Sequence, residues 1–167
     1  MVVSYKPAGH QNVLPYLVVR RLDRVLAFVT EAFGAEVLET ISGPGDAIQH
    51  VEVRIRDSVV MMGDPGSDDD LVPAALYLYV EDVDAVYARA IAAGATSVME
   101  PMDMVYGDRQ GAVVDPCGNR WFPATHIEDV PSDEIQRRAT ASVASRRKRR
   151  RRPLAWGAAY SPAAATQ

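Results

Sequence analysis

The chain has 167 residues, a hydrophobic fraction of 48% and a formal net charge of −4. That length suits one domain with a proper core, and no apolar run approaches the roughly 18 residues a membrane helix needs, so no membrane partner is expected. Cys117 is the single cysteine, which excludes an intrachain disulfide and a Cys-rich zinc site. The N terminus lacks the charged and apolar regions of a signal peptide, and the expected compartment is the cytoplasm.

The net charge conceals two opposite parts. Seven of the 18 basic residues form the run Arg146 to Arg152, so residues 1–145 hold 11 basic and 22 acidic residues, a balance of −11. An acidic body does not attract nucleic acid. Only the basic run offers an anionic surface a landing place, and the plain reading of a self-repelling, Arg-, Ala- and Pro-rich segment is a solvated tail.

Along the chain, one unit occurs twice. Tyr16-Leu17-Val18-Val19 is echoed by Tyr77-Leu78-Tyr79-Val80, and Asp23, Val25 and Ala27 by Asp84, Val86 and Ala88, at an offset of 61. The offset becomes 60 where Phe33-Gly34-Ala35 matches Ala93-Gly94-Ala95. Each copy opens with a short strand and continues as a helix. Leu22, Val25, Leu26, Val29 and Phe33 share one helical face, as do Val83, Val86, Tyr87, Ala90 and Ile91. Gly34 and Gly94 follow the helices as left-handed C′ residues, and Asp82 suits the second N-cap.

Strands are expected over about 35–41, 48–56 and 58–63 in the first copy, with Arg56-Asp57 as a tight hairpin turn. In the second they fall over about 96–101, 110–115 and 119–126, with Asp115 to Asn119 as a turn. Gly63 to Val72 links the copies. Ser132 opens a last helix whose Ile135, Ala139 and Val143 form an apolar stripe. The expected organisation is one domain over residues 1–130, built of modules 12–65 and 73–130. A helix over 131–145 and a disordered basic tail over 146–167 complete it.

Strand alternation sorts the side chains. Val51, Val53 and Ile55 form a core face, and His50, Glu52 and Arg54 share the opposite one. Likewise Leu76, Leu78 and Val80 oppose Tyr77 and Tyr79, and Leu17 and Val19 oppose Tyr16. The six residues Tyr16, His50, Glu52, Arg54, Tyr77 and Tyr79 are therefore expected to line one concavity. An aromatic cleft with a few polar groups suits a small-molecule ligand. His50 and Glu52 are the only close His/Glu pair, and are residue types suited to acid–base catalysis. Tyr106-Gly107-Asp108-Arg109 precedes a strand, either as a stabilised turn or as a lid carrying Tyr106 and Arg109 to a ligand.

Phe33-Gly34-Ala35-Glu36, Asp57-Ser58-Val59-Val60-Met61-Met62, Val80-Glu81-Asp82-Val83-Asp84, Tyr106-Gly107-Asp108-Arg109 and Asp115-Pro116-x-Gly118-Asn119-Arg120-Trp121 stand in order on the doubled βαβββ plan. In this they resemble the vicinal-oxygen-chelate superfamily of glyoxalases, bleomycin-resistance proteins and extradiol dioxygenases. The closing Ala124 to Val130 resembles its PhnB-like branch. The resemblance implies an α+β fold of two βαβββ modules, forming a curved mixed sheet around a cleft with helices outside, and a homodimer. It also implies four metal-ligand positions, one on the first and one on the last strand of each copy. Here these are Leu14, Met61, Ala75 and Phe122, none of which offers nitrogen or hard oxygen. The expectation is a cleft with no metal or other cofactor, with Phe122 on its apolar floor.

Three functions stay open. The first is metal-free binding of a small organic molecule, in a resistance or sequestration role. The second is a lyase, isomerase or dioxygenase-like enzyme, acting through a relocated metal or through His50 and Glu52. The third is a vestigial module whose partner is only itself.

Overall fold

The computed structural model describes residues 4–67 and 71–150, with backbone alone at Asp46 and 143–150. The first module runs β1 (Tyr16–Val18), α1 (Leu22–Phe33), β2 (Glu36–Ser42), β3 (Ile48–Ile55) and β4 (Ser58–Gly63). The second runs β5 (Ala75–Tyr79), α2 (Val83–Ala92), β6 (Thr96–Asp103), β7 (Asp108–Val114) and β8 (Arg120–His126). This is the doubled βαβββ order that the repeat dictates. Each module forms its own four-stranded sheet, ordered β1-β4-β3-β2 and β5-β8-β7-β6. In each, the first and last strands pair in parallel and the other neighbours are antiparallel. The curved mixed sheet of the sequence reading is thus two sheets.

Local chemistry sets the element ends. Gly34 is left-handed, and its N–H donates to the Thr30 carbonyl at 3.0 Å, closing α1. The Asp82 side chain accepts from the Ala85 N–H at 3.0 Å and starts α2. Arg56 turns the β3–β4 hairpin at φ 59°. β7 begins at Asp108, two residues before the expected start, and this brings Asp108 into the sheet.

One core serves both modules. Leu22, Val25, Phe28, Val29, Ala32 and Phe33 of α1 are buried, with Val51, Val53, Ile55 and Met62 from its sheet and Val86, Ala90, Val113 and Trp121 from the other module. Phe33 lies 4.8 Å from the Trp121 ring and 5.3 Å from Phe28, centroid to centroid. Trp121 belongs to the second module and its aromatic neighbours to the first, so neither module can bury its apolar face alone. Each large side chain contributes about 1.5–3 kcal/mol of burial. Helices cover one face of each sheet and touch each other. The opposite faces keep Tyr16, Tyr77 and Tyr79 exposed.

The chain divides into two compact units, Met1–Asp129 and Val130–Gln167. The second contains α3 (Ser132–Arg150). This helix continues five residues beyond the boundary at 145 expected from sequence, into the basic run read there as a disordered tail. Arginine is a good helix former, and Glu134 on the first turn pairs with Arg137 and Arg138. Residues 151–167 of the expected tail lie outside the described residues. No helix among the described residues is long and apolar enough to cross a membrane.

Candidate functional site

Sheet register puts the candidate residues in rows. Tyr16 on β1 pairs with Met61 on β4, which pairs with Glu52 on β3. These three therefore project from one face. His50 follows two residues along that face, and its ring stacks on Tyr16 with centroids 5.9 Å apart. A Cβ at Gly63 would collide with the Tyr16 ring, so only glycine lets this tyrosine lie across β4.

Glu52 is the polar centre of this face, only 8% exposed. Its Oε2 is 2.8 Å from His10 Nε2, and its Oε1 is 3.7 Å from His50 Nε2. By spacing in the chain, Glu52 has only His50 as a close partner. His10 comes from the segment before β1, and no periodicity marks that segment as lying across the sheet.

The second sheet carries a different centre. Asp108, 3% exposed, accepts hydrogen bonds from the hydroxyls of Tyr77 (2.8 Å) and Tyr79 (2.9 Å) on one oxygen. On the other it meets His126 Nδ1 at 2.8 Å. Burial works to raise the Asp108 carboxyl, but the hydrogen bonds from His126, Tyr77 and Tyr79 outweigh it and hold the group below its ordinary range. The hydrogen bond to Asp108, and then that to Asp129, raise His126. Burial, reinforced by the Asp108 carboxylate, raises the Tyr77 hydroxyl. Tyr77 also reaches Gln110 at 3.4 Å, and the Tyr106 hydroxyl bonds the same Gln110 amide oxygen.

The structure thus groups Tyr16, His50 and Glu52 on one sheet, and Tyr77, Tyr79 and Tyr106 on the other. Among the described residues no hydrogen bond joins the two groups. A cavity of about 210 Å³ lies between the modules, lined by Gln11, Val13, Pro15, Val59 and Val60 from the first and by Leu76, Tyr77, Leu78 and Trp121 from the second. Of the six residues expected around one concavity, only Tyr77 lines it. Arg54 borders a different cavity. Arg109 is committed elsewhere, since its guanidinium binds Asp84 through two bonds of 2.7 and 2.8 Å and Asp103 at 2.9 Å. That network suits a stabilised turn. Sequence singled out neither Asp108 nor His126 as a functional residue, because eighteen positions separate them.

At the metal positions implied by the resemblance, Met61 stands beside Tyr16 and Phe122 beside Tyr77, in register. A thioether, a phenyl ring and the aliphatic Leu14 and Ala75 supply no donor for a hard or borderline divalent ion. The donor set does not fit the family metal. Among the described residues, no group of three His, Cys, Asp or Glu side chains is arranged to hold a metal ion.

Residues 9–122 match the family model of the glyoxalase/bleomycin resistance protein/dioxygenase superfamily. The chain is 34% identical over 148 residues to the uncharacterized protein Mb0911c of Mycobacterium bovis, covering 81% of this chain and 94% of that protein. Among solved structures, TioX from Micromonospora sp. ML1 is 25% identical with a TM-score of 0.61, over 70% of this chain and 99% of TioX. TnmS3, an antibiotic binding protein from Streptomyces sp. CB03234, is 22% identical with a TM-score of 0.56, over 70% of this chain and 99% of TnmS3. The repeat, the two four-stranded sheets and the family match agree: this chain belongs to the glyoxalase/bleomycin resistance protein/dioxygenase superfamily.

Proposed function

We propose that this protein binds a small organic molecule against its open sheet faces, without a metal, in a sequestration or resistance role. The carrying observation is that each open face holds a buried carboxylate wired to aromatic or imidazole groups: Glu52 with His10 and His50, Asp108 with Tyr77, Tyr79 and His126. With their protons given to Asp108, the Tyr77 and Tyr79 oxygens keep lone pairs for donors on a ligand, and their rings offer stacking area. The fold likeness to TnmS3 supports the same reading, since that protein is an antibiotic binding protein.

A homodimer belongs to this proposal. Val37 and Ile41 on β2, and Val98 and Met102 on β6, are about half exposed, and a second copy would cover such surface. Sedimentation at micromolar concentration should give twice the chain mass, and a monomer would remove this part of the reading.

Binding is tested by titrating the purified protein with a panel of aromatic and cationic compounds while following tyrosine and tryptophan fluorescence. A saturable ligand whose affinity drops in Tyr77→Ala and Tyr79→Ala supports the proposal. Ligands that bind equally well to both variants would defeat it. The two imidazoles on Glu52 favour a second reading, acid–base isomerase or lyase chemistry. Turnover of a bound compound that is lost in Glu52→Gln would replace sequestration by catalysis.

A further inference from the structure

We propose a second ligand site, for a small hydroxycarboxylate, in the cavity where α1 ends against α2 and the β3–β4 turn. This cavity of about 440 Å³ is lined by Arg54, Arg56 and Arg89, by Glu31 and Glu36, and by Phe33 and Gly34. Three guanidinium groups meet here although the body of the chain is strongly acidic.

Their existing partners leave them largely uncommitted. Arg89 donates through Nε to the Ala32 carbonyl at 3.3 Å, which anchors its stem across the two modules. Arg56 only approaches Glu81, at 3.6 Å. Arg54 is half-buried on β3, and among the described residues its guanidinium makes no hydrogen bond or ion pair. A guanidinium carries five donors in a fixed fork that matches a carboxylate, so a half-buried one without a partner marks a place for an anion.

The two acidic residues refine the ligand class. Glu36 is the cross-strand neighbour of Arg54, yet neither Glu31 nor Glu36 forms an ion pair with the three arginines. Both are exposed, and their oxygens repel a bare anion but can accept from a hydroxyl group. Within the cavity lining, three arginines against two glutamates leave one positive charge, which Glu81, 3.6 Å from Arg56 at the rim, offsets in part. A monoanion bearing hydroxyl groups answers both, its carboxylate on the arginine forks and its hydroxyls donating to Glu31 and Glu36.

The test is titration at constant ionic strength with gluconate, acetate, inorganic phosphate and the neutral polyol sorbitol, read by calorimetry and thermal shift. Gluconate should bind saturably and more tightly than acetate, while sorbitol does nothing. Arg54→Gln and Arg89→Gln should each weaken gluconate by roughly tenfold, and Arg24→Gln, on an exposed part of α1, should not. Arg89 sits on an exposed helix position, so its variant keeps the test decisive if Arg54→Gln fails to fold. Tyr77→Ala should leave gluconate binding unchanged, which separates this site from the sheet-face ligand. No saturable gluconate response, an equal response to sorbitol, tighter binding of phosphate, or full affinity in Arg89→Gln would each overturn the proposal.

Discussion

His10 holds its Nε2 2.8 Å from Oε2 of Glu52, although 42 positions separate the two residues. The contact fastens the segment before β1 across the open face of the first sheet, with Lys6 Nζ bonding the His10 carbonyl at 2.8 Å. His10→Ala leaves a nearly buried carboxylate with a missing donor, so it should destabilise the fold by about 1–3 kcal/mol. His10→Gln, which can still donate, should recover part of the loss. Urea denaturation of the three proteins measures both, and equal stability of all three would show that the contact contributes nothing.

The second sheet predicts a pH dependence. His126 is raised above its ordinary 6.5 by Asp108 and Asp129, so its stabilising contribution is fully present below about pH 6.5 and is lost as the pH rises through the folded-state value. Asp108 is lowered below 3.8, so its contribution is present above about pH 4 and is lost as the pH falls through the folded-state value. The pair therefore stabilises most between those limits. The melting temperature of wild type should fall relative to His126→Gln as the pH is raised above 6.5. Parallel curves for the two proteins over that range would contradict this, as would an NMR titration placing His126 below 6.5.

Asp115 accepts four hydrogen bonds at the β7–β8 turn. Its carboxylate accepts from the Cys117 N–H (2.8 Å), the Asn119 N–H (2.9 Å), the Asn119 amide (2.9 Å) and the Trp121 indole (3.0 Å). Asp115→Ala strands the buried Asn119 and Trp121 donors and should cost roughly 3 kcal/mol or more. Chemical denaturation checks it, and a loss below about 1 kcal/mol would mean that water or a shifted turn replaces the carboxylate.

Gly63→Ala should push the Tyr16 ring off β4 and away from His50, because the added Cβ occupies the space of that ring. Tyr16 is on the surface, so stability should change by less than about 1 kcal/mol while Tyr16 reactivity toward tetranitromethane rises. Unchanged Tyr16 reactivity would show that the ring is not held there.

Much of the fold was legible in the chain. The alternation of Val51, Val53 and Ile55 against His50, Glu52 and Arg54 follows from a strand's two-residue period; the three apolar residues are buried as expected, and Glu52 on the opposite face is buried as well, bonded to His10. Phe28 escaped the helical reading in favour of Leu26, yet Phe28 is fully buried and Leu26 only partly. The Phe28 ring lies 5.3 Å from Phe33 and 6.5 Å from Trp121 of the other module, centroid to centroid, and the latter is a contact that helix periodicity does not contain.

Sequence by itself determined the doubled βαβββ plan, the face each strand residue takes, and the loss of donors at Leu14, Met61, Ala75 and Phe122. The first two are consequences of the repeat and the strand's local period, and the third follows from residue chemistry at the four positions that the family resemblance implies. Tertiary structure alone decided which polar groups meet. It brought His10 to Glu52 and His126 to Asp108, tied Arg109 to Asp84 and Asp103, and left Arg54 beside Arg56 and Arg89. A hydrogen bond depends on distances of a few ångströms between strands distant in the chain. Register and turn geometry set those distances, and no repeat in the sequence encodes them, because the two modules place their carboxylates at different rows of otherwise matching sheets.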